Sequence, residues 1–418
     1  MSGAAAAKPE RGQKPLPQGW RWVQLADVIR EAQPGFASGL RDPNGVLQLR
    51  MNNVGTRGNL VWDEVLRVPL EGRSLADCTL ALEDVVFNNT NSTELVGKSA
   101  LFEGYPEAVV YSNHFTRLRV AVEALDPGYL ANWLLSQWEA GVFRGLCNRW
   151  IGQSAVKNDR LLSLEIPLPS LAEQRRVAAI LREQMAAREK ARAAAEAQLE
   201  AAKGLSGAYL RDVFQSPAAE NWPRGRVGHV ATLLPARSIS SDGDTDVLAI
   251  TTACLTESGF EPSGVKKARM WARDAAACRV SPGEILVARS NTPELVGRVS
   301  LYTGQPPGVV ASDLTIRLST HSQCHAPFLS AYLSFLYLTG YWREKAGGAS
   351  GSMKKITRRQ IVAEQVPLPE LSEQERIAAE LRASGDCAEK IKRAAAEQLA
   401  EIERLPASLL RRAFNGDL

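Results

Sequence analysis

The feature that constrains this chain most is an internal repeat with a period of 200 residues. The sequence Asn-Ser-Thr-Glu-Leu-Val-Gly-Lys at 91–98 recurs as Asn-Thr-Pro-Glu-Leu-Val-Gly-Arg at 291–298, and Pro-Leu-Pro at 167–169 recurs at 367–369. This period is far longer than that of a solenoid, so each copy is expected to be a whole domain with an appendage. The length of 418 residues agrees, because one hydrophobic core rarely serves more than roughly 250–300 residues.

Composition places the chain among ordinary globular proteins, with 45% hydrophobic and 23% charged residues. The most apolar stretch, 328–342, is shorter than the ~20 residues that span a bilayer, and residues 1–14 have the character of a disordered tail and not of a signal peptide. Six scattered cysteines suit a reducing compartment, so a cytoplasmic protein is expected. His321, Cys324 and His325 lie close together, but they lack an acidic partner and no metal site is predicted.

Each copy contains two kinds of sequence. Short β-branched runs between Gly, Pro, Asn and Asp predict strands and turns over about 15–164 and 217–364, with one helix in each copy, at 127–143 and 327–342. The fold class is therefore α+β, with two tandem mixed α/β domains. A proline-free stretch rich in Ala, Glu, Lys and Arg then predicts a long helix in each copy, ending near Lys203 and Arg404, with capping boxes at Ser170 and Ser372.

Apolar residues in these two helices follow an alternating step of four and three, which is the seam of a coiled coil. The residues predicted to pair the helices are Val177, Leu181, Ala191, Ala195, Ile377, Leu381, Ile391, Ala395 and Ile402. Because a duplicated chain tends to fold as a pseudo-dimer, we expect an antiparallel pair with pseudo-two-fold symmetry. The alternative is that each helix packs only on its own domain.

No catalytic motif is present: we find no Walker A loop, no His-Glu-x-x-His and no nucleophile elbow. Binding is the better hypothesis, because polar loops follow apolar strands at equivalent places in both copies, and amide, hydroxyl and basic side chains suit base edges and phosphates. A solvated surface is the simpler alternative. The candidate DNA-binding residues are Asn89, Asn91, Ser92, Thr93, Ser154, Lys157, Arg289, Asn291, Thr292, Ser352, Lys354 and Lys355.

The two diverged halves, each with Pro-Leu-Pro-x-Leu-x-Glu-Gln before a long helix, and the ending Leu-Leu-Arg-Arg-Ala-Phe-Asn-Gly-Asp-Leu at 409–418, resemble the specificity subunits (HsdS) of Type I restriction-modification systems. The resemblance implies two target recognition domains that each read one half of a bipartite DNA sequence, joined by helices that set the spacing and dock two methyltransferase subunits. It also implies that S-adenosylmethionine, ATP and Mg²⁺ belong to the methyltransferase and restriction subunits, and that this chain binds no cofactor and is not an enzyme.

The resemblance implies a tail at 1–14, recognition domains at 15–166 and 216–366, a central helical spacer at 167–215 and a C-terminal helical region at 367–418. Gly152-Gln153-Ser154 aligns with Gly351-Ser352-Met353, so the first copy is expected to be shorter between this loop and Pro-Leu-Pro.

Two other functions stay open at this point. A coiled-coil interaction scaffold without nucleic acid would explain the helices but not the paired polar loops. A self-contained methyltransferase would need an Asn/Asp-Pro-Pro-aromatic motif, which Gln305-Pro306-Pro307-Gly308 does not match.

Overall fold

The computed structural model describes residues 16–348 and 353–418, so the tail predicted at 1–14 lies outside the described residues. The chain folds into two compact units. Unit 1 is formed by Met1–Ala193 together with Leu399–Leu418, and unit 2 by Ala194–Gln398. Residues 399–418 therefore belong to the same unit as the first described residues of the chain.

Unit 1 contains short strands and short helices before the first long helix. Its strands are Arg21–Gln24, Ile29–Pro34, Val46–Leu49, Leu66–Val68, Val85–Asn88, Thr90–Asn91, Ser99–Leu101, Val109–Tyr111, Phe115–Val120, Asn148–Trp150, Gln153–Ala155 and Glu165–Leu168. Its short helices are Leu25–Val28, Met51–Asn53 (3-10), Leu75–Cys78, Pro127–Glu139, Val142–Leu146 and Asn158–Leu162. The main sheet is antiparallel, in the order 29–34, 115–120, 85–88 and 99–101. Its inner face and the helix Pro127–Glu139 share one core.

Unit 2 repeats these elements. Its strands are Arg224–Arg226, Ala231–Leu233, Thr245–Ile250, Leu255–Thr256, Gly259–Phe260, Lys266–Met270, Ile285–Ala288, Ser290–Asn291, Val299–Leu301, Val309–Ala311, Thr315–Thr320, Lys354–Lys355 and Gln365–Pro367. Its short helices are Pro217–Glu220, Val227–Val230, Thr252–Cys254 and Pro262–Gly264 (both 3-10), Ala272–Cys278, Ala326–Leu338, Tyr341–Lys345 and Arg358–Ala363. The main sheet has the order 231–233, 315–320, 285–288 and 299–301, which is the order found in unit 1. The repeat seen in the sequence is thus a repeat of topology.

The helix predicted inside each copy is in fact two helices. Pro127–Glu139 and Val142–Leu146 are separated at Gly141, which has a φ of 76°, and the same break occurs at Gly340, with a φ of 80°. Glycine adopts this left-handed conformation without the steric penalty of a Cβ, and it ends a helix there. The prediction of one continuous helix at each place was wrong for this reason.

The two long helices are longer than predicted, because they continue past Lys203 and Arg404. The first is Leu171–Phe214, and the second is Leu371–Asn415, with Pro406 inside it. Ser170 Oγ accepts a hydrogen bond from the Glu173 backbone N–H at 3.4 Å, which confirms the N-cap half of the predicted capping box, while the Glu173 carboxylate accepts from Arg176 instead.

The predicted cap of the second long helix was wrong. Ser372 lies inside that helix, and Glu370, which is equivalent to Ser170, precedes its first residue. The Glu370 carbonyl accepts backbone N–H bonds from Glu373 at 2.9 Å and from Gln374 at 3.0 Å. The first turn is therefore closed by main-chain bonds, and both long helices start at the same point of the repeat.

Within each unit the two long helices pack against each other in antiparallel directions. In unit 1, Val177 and Leu181, early in the first helix, share a core with Leu410 and Ala413, late in the second. In unit 2, Phe214, at the end of the first helix, shares a core with Ile377 near the start of the second. The alternative, in which each helix packs only on its own domain, is thereby excluded.

The seam between the helices differs in phase from the predicted one. Leu181, Arg188, Ala195 and Ala202 are buried at heptad spacing, but the intervening half-buried positions are 185, 192 and 199 and not 184, 191 and 198. Ala191 is exposed for this reason, and Ile391 is 44% exposed. Met185 and Leu199 remove more apolar surface from water than Gln184 and Gln198 would, which favours the observed phase. Of the other predicted pairing residues, Val177, Ile377, Ala395 and Ile402 are buried and Leu381 is half-buried.

The second long helix passes through Pro406 because another group satisfies the carbonyl that the proline leaves unpaired. Proline has no backbone N–H, so the carbonyl of Ile402, four residues earlier, loses its helical partner. Arg188 Nε of the first long helix donates to that carbonyl at 3.3 Å, and Arg188 is buried. A basic residue at an otherwise apolar seam position thus repairs the helix.

The glutamine that follows each Pro-Leu-Pro motif stabilises the fold. Gln174 is fully buried, accepts a hydrogen bond from the Asp126 N–H at 2.8 Å, and donates to the carbonyls of Ala124 and Pro169 at 3.0 Å. Gln374 makes the same bonds with the His325 N–H and with the carbonyls of Gln323 and Pro369. Each glutamine ties the start of a long helix to the start of a domain helix.

Replacing Gln174 with alanine is expected to destabilise unit 1 by about 2–4 kcal/mol, because one buried N–H and two buried carbonyls lose their partner. Urea unfolding of the full chain, with hydrogen exchange measured on unit 1 peptides, measures the loss. Gln184→Ala is the matched control, since Gln184 is exposed on the same helix. Equal effects of the two substitutions would contradict the structural role of Gln174.

Among the described residues, no helix combines the length and the apolar character needed to cross a membrane.

Candidate nucleic-acid interface

Two polar segments that lie far apart in the sequence meet in each unit through a short β pairing. In unit 1 the strand Thr90–Asn91 pairs antiparallel with Gln153–Ala155, and in unit 2 Ser290–Asn291 pairs with Lys354–Lys355. These are the segments in which the sequence predicted DNA-binding residues. The structure therefore joins two separate predicted clusters into one polar site per unit.

The pairing also fixes which residues are equivalent. Asn91 pairs with Ser154 and Asn291 pairs with Lys354, so the offset of 200 holds through this segment and up to the Pro-Leu-Pro motif. The expectation that the first copy is shorter here was wrong. It came from aligning the glycines of the two loops instead of the paired strands.

The shared Glu-Leu-Val-Gly sequence shapes the loop at the end of the strand. Gly97 has a φ of 92°, and a Cβ there would lie 2.3 Å from the Phe143 ring; Gly297 has a φ of 83°, and its Cβ would lie 2.5 Å from Trp342 Cβ. Both the positive φ and the close ring exclude other residues. These glycines let the polar loop turn closely over the domain helices.

The asparagine that begins each repeated motif also supports the loop. Asn91 Oδ1 accepts from the Ser92 N–H at 2.8 Å, and its Nδ2 donates to Asn88 Oδ1. Asn291 Oδ1 accepts from the Thr292 N–H at 2.9 Å in the same way. Both predicted DNA-binding side chains therefore use their amide oxygen within the loop itself, and Asn91 also uses its amide nitrogen there.

Unit 1 has a neutral network of amides and hydroxyls beside this loop. Asn89 Nδ2 donates to Thr116 Oγ1 at 3.1 Å, and Thr116 Oγ1 donates to Asn158 Oδ1 at 2.8 Å. Asn89 Oδ1 accepts from Thr90 Oγ1 at 2.8 Å. The chain of donors and acceptors fixes the orientation of both amide groups.

The remaining predicted residues of unit 1 surround this network. Thr93 Oγ1 and Ser154 Oγ are 2.8 Å apart, Ser92 is half-buried, and Lys157 is exposed. Ser154 itself is 1% exposed, so it supports Thr93 and is not free to contact a partner.

Unit 2 has arginines at the equivalent positions. Arg289 occupies the position of Asn89 and donates from Nη1 to the Asp313 carbonyl at 3.0 Å, and Arg358 occupies the position of Asn158. The pKa of Arg358 is lowered by burial and then by the positive charges of Arg289 and Arg237, while Asp313 opposes the shift. Arg289 Nη1 lies 4.0 Å from Asp313 Oδ2, and Arg237 Nε lies 3.5 Å from Asp274 Oδ1, so this basic site also contains two carboxylates.

The lysines predicted in unit 2 lie on the paired strand, where Lys354 is half-buried and Lys355 is exposed. Thr292 is half-buried. Ser352, also predicted to bind DNA, lies outside the described residues.

Lys98 and Arg298, at the end of the repeated motif, act inside their units. Lys98 Nζ donates to the carbonyls of Met51, at 3.2 Å, and Val54, and burial lowers the pKa of this amine. Arg298 Nη1 donates to the Leu255 carbonyl at 3.3 Å. Each cation thus satisfies carbonyls at the end of an equivalent 3-10 turn.

Charge is distributed unevenly along the chain. Residues 1–200 contain equal numbers of basic and acidic residues, so the whole formal charge of +4 falls on residues 201–418. The arginine site of unit 2 is consistent with this imbalance, as is the neutral site of unit 1.

No group of three or more His, Cys, Asp or Glu side chains suited to a metal ion occurs within 16–348 and 353–418. His321 Nε2 lies 2.9 Å from Thr232 Oγ1, and burial raises the pKa of the Cys324 thiol to about 11. These two residues of the sequence cluster are accounted for by local contacts.

No protein-family model matches this chain. Over 94% of its length it is 23% identical to a candidate type I restriction enzyme MjaX specificity subunit from Methanocaldococcus jannaschii, and the match covers 93% of that protein. The HsdS subunit from Thermoanaerobacter tengcongensis is 23% identical, with a TM-score of 0.65 over 97% of this chain and 99% of that one. A chain from a structural study of complex assembly and conformational transition in the type I R-M system reaches a TM-score of 0.72 at 23% identity, over 97% of this chain and 100% of that chain.

This chain is a homologue of type I specificity subunits. The resemblance found in the sequence is confirmed, and so is the fold class of two mixed α/β domains with two long paired helices. Because the similarity extends over nearly the whole of both chains, the specificity-subunit fold accounts for both halves of the repeat.

The specificity-subunit fold also brings in residues that were not among the candidates. Thr116 and Arg237 belong to the polar sites although no motif marks them, while Asn158 and Arg358 lie in the same polar segments as the candidates Lys157 and Lys355. A signal was available in the sequence: at the offset of 200, Asn158 becomes Arg358 and Thr116 becomes Ile316, while the framework around them is retained.

Proposed function

We propose that this chain is the DNA sequence-specificity subunit of a Type I restriction-modification complex. Each unit recognises one half of a bipartite DNA target, and the long helices set the spacing and dock two methyltransferase subunits. Restriction subunits join through the complex, in the cytoplasm. S-adenosylmethionine, ATP and Mg²⁺ are bound by the partners, and this chain performs no catalysis.

One observation carries the proposal: a polar site with the same backbone framework occurs twice in one chain, with different side chains in its two copies. A bipartite DNA target needs two readers that share a way of docking but differ in the bases they select. A coiled-coil interaction scaffold would need neither the repeated polar sites nor their difference.

The test uses the full-length chain with the subunits that purify with it, incubated with a library of randomised DNA duplexes. Sequencing of the bound DNA is expected to give two short specified segments separated by a non-specific spacer of fixed length. Enrichment of no sequence, or of a single uninterrupted one, would overturn the proposal.

The double substitution Lys354→Ala/Lys355→Ala is expected to weaken binding on all DNA sequences alike and to reduce the slope of log K against log salt by about 1–2. Removing one lysine–phosphate interaction lowers that slope by about 0.9. Lys266→Ala/Lys267→Ala, in an exposed strand of the same unit, is the matched control and is expected to leave the slope unchanged.

A change in base preference without a change in salt dependence would contradict the assignment of Lys354 and Lys355 to phosphate contacts.

A further inference from the structure

Residues 158 and 358 occupy the same position in the two polar sites but carry side chains of different chemistry. We propose that they are base-reading positions with different selectivity: Asn158 reads an adenine in the half-site of unit 1, and Arg358 reads a guanine in the half-site of unit 2. This inference rests on the proposed function and adds to it the kind of base that each unit selects.

The equivalence of the two positions follows from the backbone. The Val156 N–H donates to the Asn89 carbonyl at 2.9 Å, and the Ile356 N–H donates to the Arg289 carbonyl at 2.9 Å. Residues 158 and 358 come two positions later, each at the start of a short helix. The backbones of residues 158 and 358 therefore occupy equivalent positions in the two units.

In unit 1, hydrogen bonds fix the orientation of the Asn158 amide group. Its Oδ1 accepts from Thr116 Oγ1, which in turn accepts from Asn89 Nδ2, so the oxygen and nitrogen ends of the Asn158 amide are distinguished. No described residue accepts a hydrogen bond from Asn158 Nδ2, and Oδ1 keeps a second lone pair. An amide with one free donor and one free acceptor matches adenine, which offers N7 as acceptor and N6 as donor in the major groove.

In unit 2 the preset network is absent, because Ile316 replaces Thr116. The Arg358 guanidinium is half-buried and makes no hydrogen bond to the described residues, although Arg289 and Arg237 lie close enough to lower its pKa. Asp313 opposes burial and the two positive charges only in part, so an acceptor that approaches the Arg358 guanidinium stabilises it. Guanine offers two acceptors, O6 and N7, at the spacing of the guanidinium fork.

Residues that the two units share support the backbone of the polar site, whereas residues that differ between the units select the base. Residues common to both units hold the site together, as Gly97 and Gly297 do in the loop and Gln174 and Gln374 do at the long helices. Positions 89, 116 and 158 differ in chemistry from 289, 316 and 358 while the backbone stays the same. Recognition of two half-sites of different sequence requires a shared backbone and different base-contacting side chains.

A base is favoured over a phosphate as the partner of these positions. Asn158 is neutral and gains little from a phosphate, whereas both an amide and a guanidinium form two directed bonds with a purine edge in the major groove. Because the two residues are equivalent, one docking geometry places both against the same groove. The exposed Lys355 is the better candidate for phosphate contact.

The test repeats the selection from randomised duplexes with the full chain and its co-purifying subunits, for wild type, Arg358→Gln and Asn158→Asp. Wild type is expected to specify a guanine in one half-site and an adenine in the other. Arg358→Gln is expected to reduce the preference for that guanine by roughly 5- to 150-fold and to leave the other half-site unchanged. Asn158→Asp is expected to replace the preference for adenine by one for cytosine, because a carboxylate accepts from cytosine N4.

Lys266→Gln, at an exposed position of the same unit, is the matched control and is expected to leave both half-sites unchanged. A uniform loss of affinity with a smaller salt slope in Arg358→Gln would show a phosphate contact and overturn the inference. So would a bipartite target that keeps both its purines in the two variants. A wild-type chain that selects no bipartite sequence would instead overturn the proposed function, so the two failures are distinguishable.

Discussion

Four residues inserted into the first long helix, by duplicating Ala194-Ala195-Glu196-Ala197, are expected to move the two recognised half-sites apart by about one base pair. The helix is continuous from Leu171 to Phe214, and it begins in unit 1 and ends in unit 2. Four residues add about 6 Å and rotate the C-terminal part of the helix by about 40° beyond a full turn. One base pair of B-DNA adds about 3.4 Å and about 35°, so the rotations nearly match.

Duplicating only Ala194-Ala195 is the control, because two residues rotate the C-terminal part of the helix by about 200°. That variant is expected to lose bipartite binding altogether. The DNA target of each insertion variant is determined by sequencing the DNA that its complex selects. Retained binding with an unchanged spacer in the four-residue variant would show that the long helices do not set the distance.

Replacing Arg317 with alanine is expected to destabilise unit 2 by about 3–5 kcal/mol, since it leaves a buried carboxylate without its partner. Arg317 and Glu284 have side chains only 3% and 7% exposed, and two hydrogen bonds of 2.8 and 2.9 Å join them. The guanidinium also donates to the carbonyls of Pro235, at 3.0 Å, and Ala277, at 3.2 Å. Folded domains are stable by only about 5–15 kcal/mol, so a loss of this size is a large fraction of the total.

Urea unfolding and hydrogen exchange on the peptides of unit 2 measure this loss. Arg269→Ala is the matched control, because Arg269 is 54% exposed and lies 3.7 Å from an Asp246 carboxylate that is 95% exposed. An exposed pair of this kind contributes at most about 1 kcal/mol. Arg317→Met/Glu284→Leu is expected to recover part of the stability, since it removes the buried charge as well as its partner. Similar losses for Arg317→Ala and Arg269→Ala would refute the role of the buried pair.

Some features of the fold could be predicted from the sequence because their sequence patterns are local or repeated. The offset of 200 predicted two units with the same topology, and long alanine- and charge-rich stretches predicted two long helices. Ser170 marked the start of the first helix correctly, because an N-cap depends on a side chain three residues from its backbone partner. The polar loops were found as well, since their residue types recur at equivalent places.

The sequence by itself therefore determined the duplication, the helix pair and the candidate loops, while the tertiary structure decided how distant segments meet. Heptad spacing alone allows both phases of the seam, and packing selected the one that includes the half-buried Met185 and not the one that includes Ala191. Pro406 stays within a helix since Arg188, more than 200 residues earlier, supplies the missing hydrogen bond. Thr116 became a site residue through its hydrogen bond to Asn158, because contacts between residues far apart in the chain form only when the whole unit packs and leave no local pattern in the sequence.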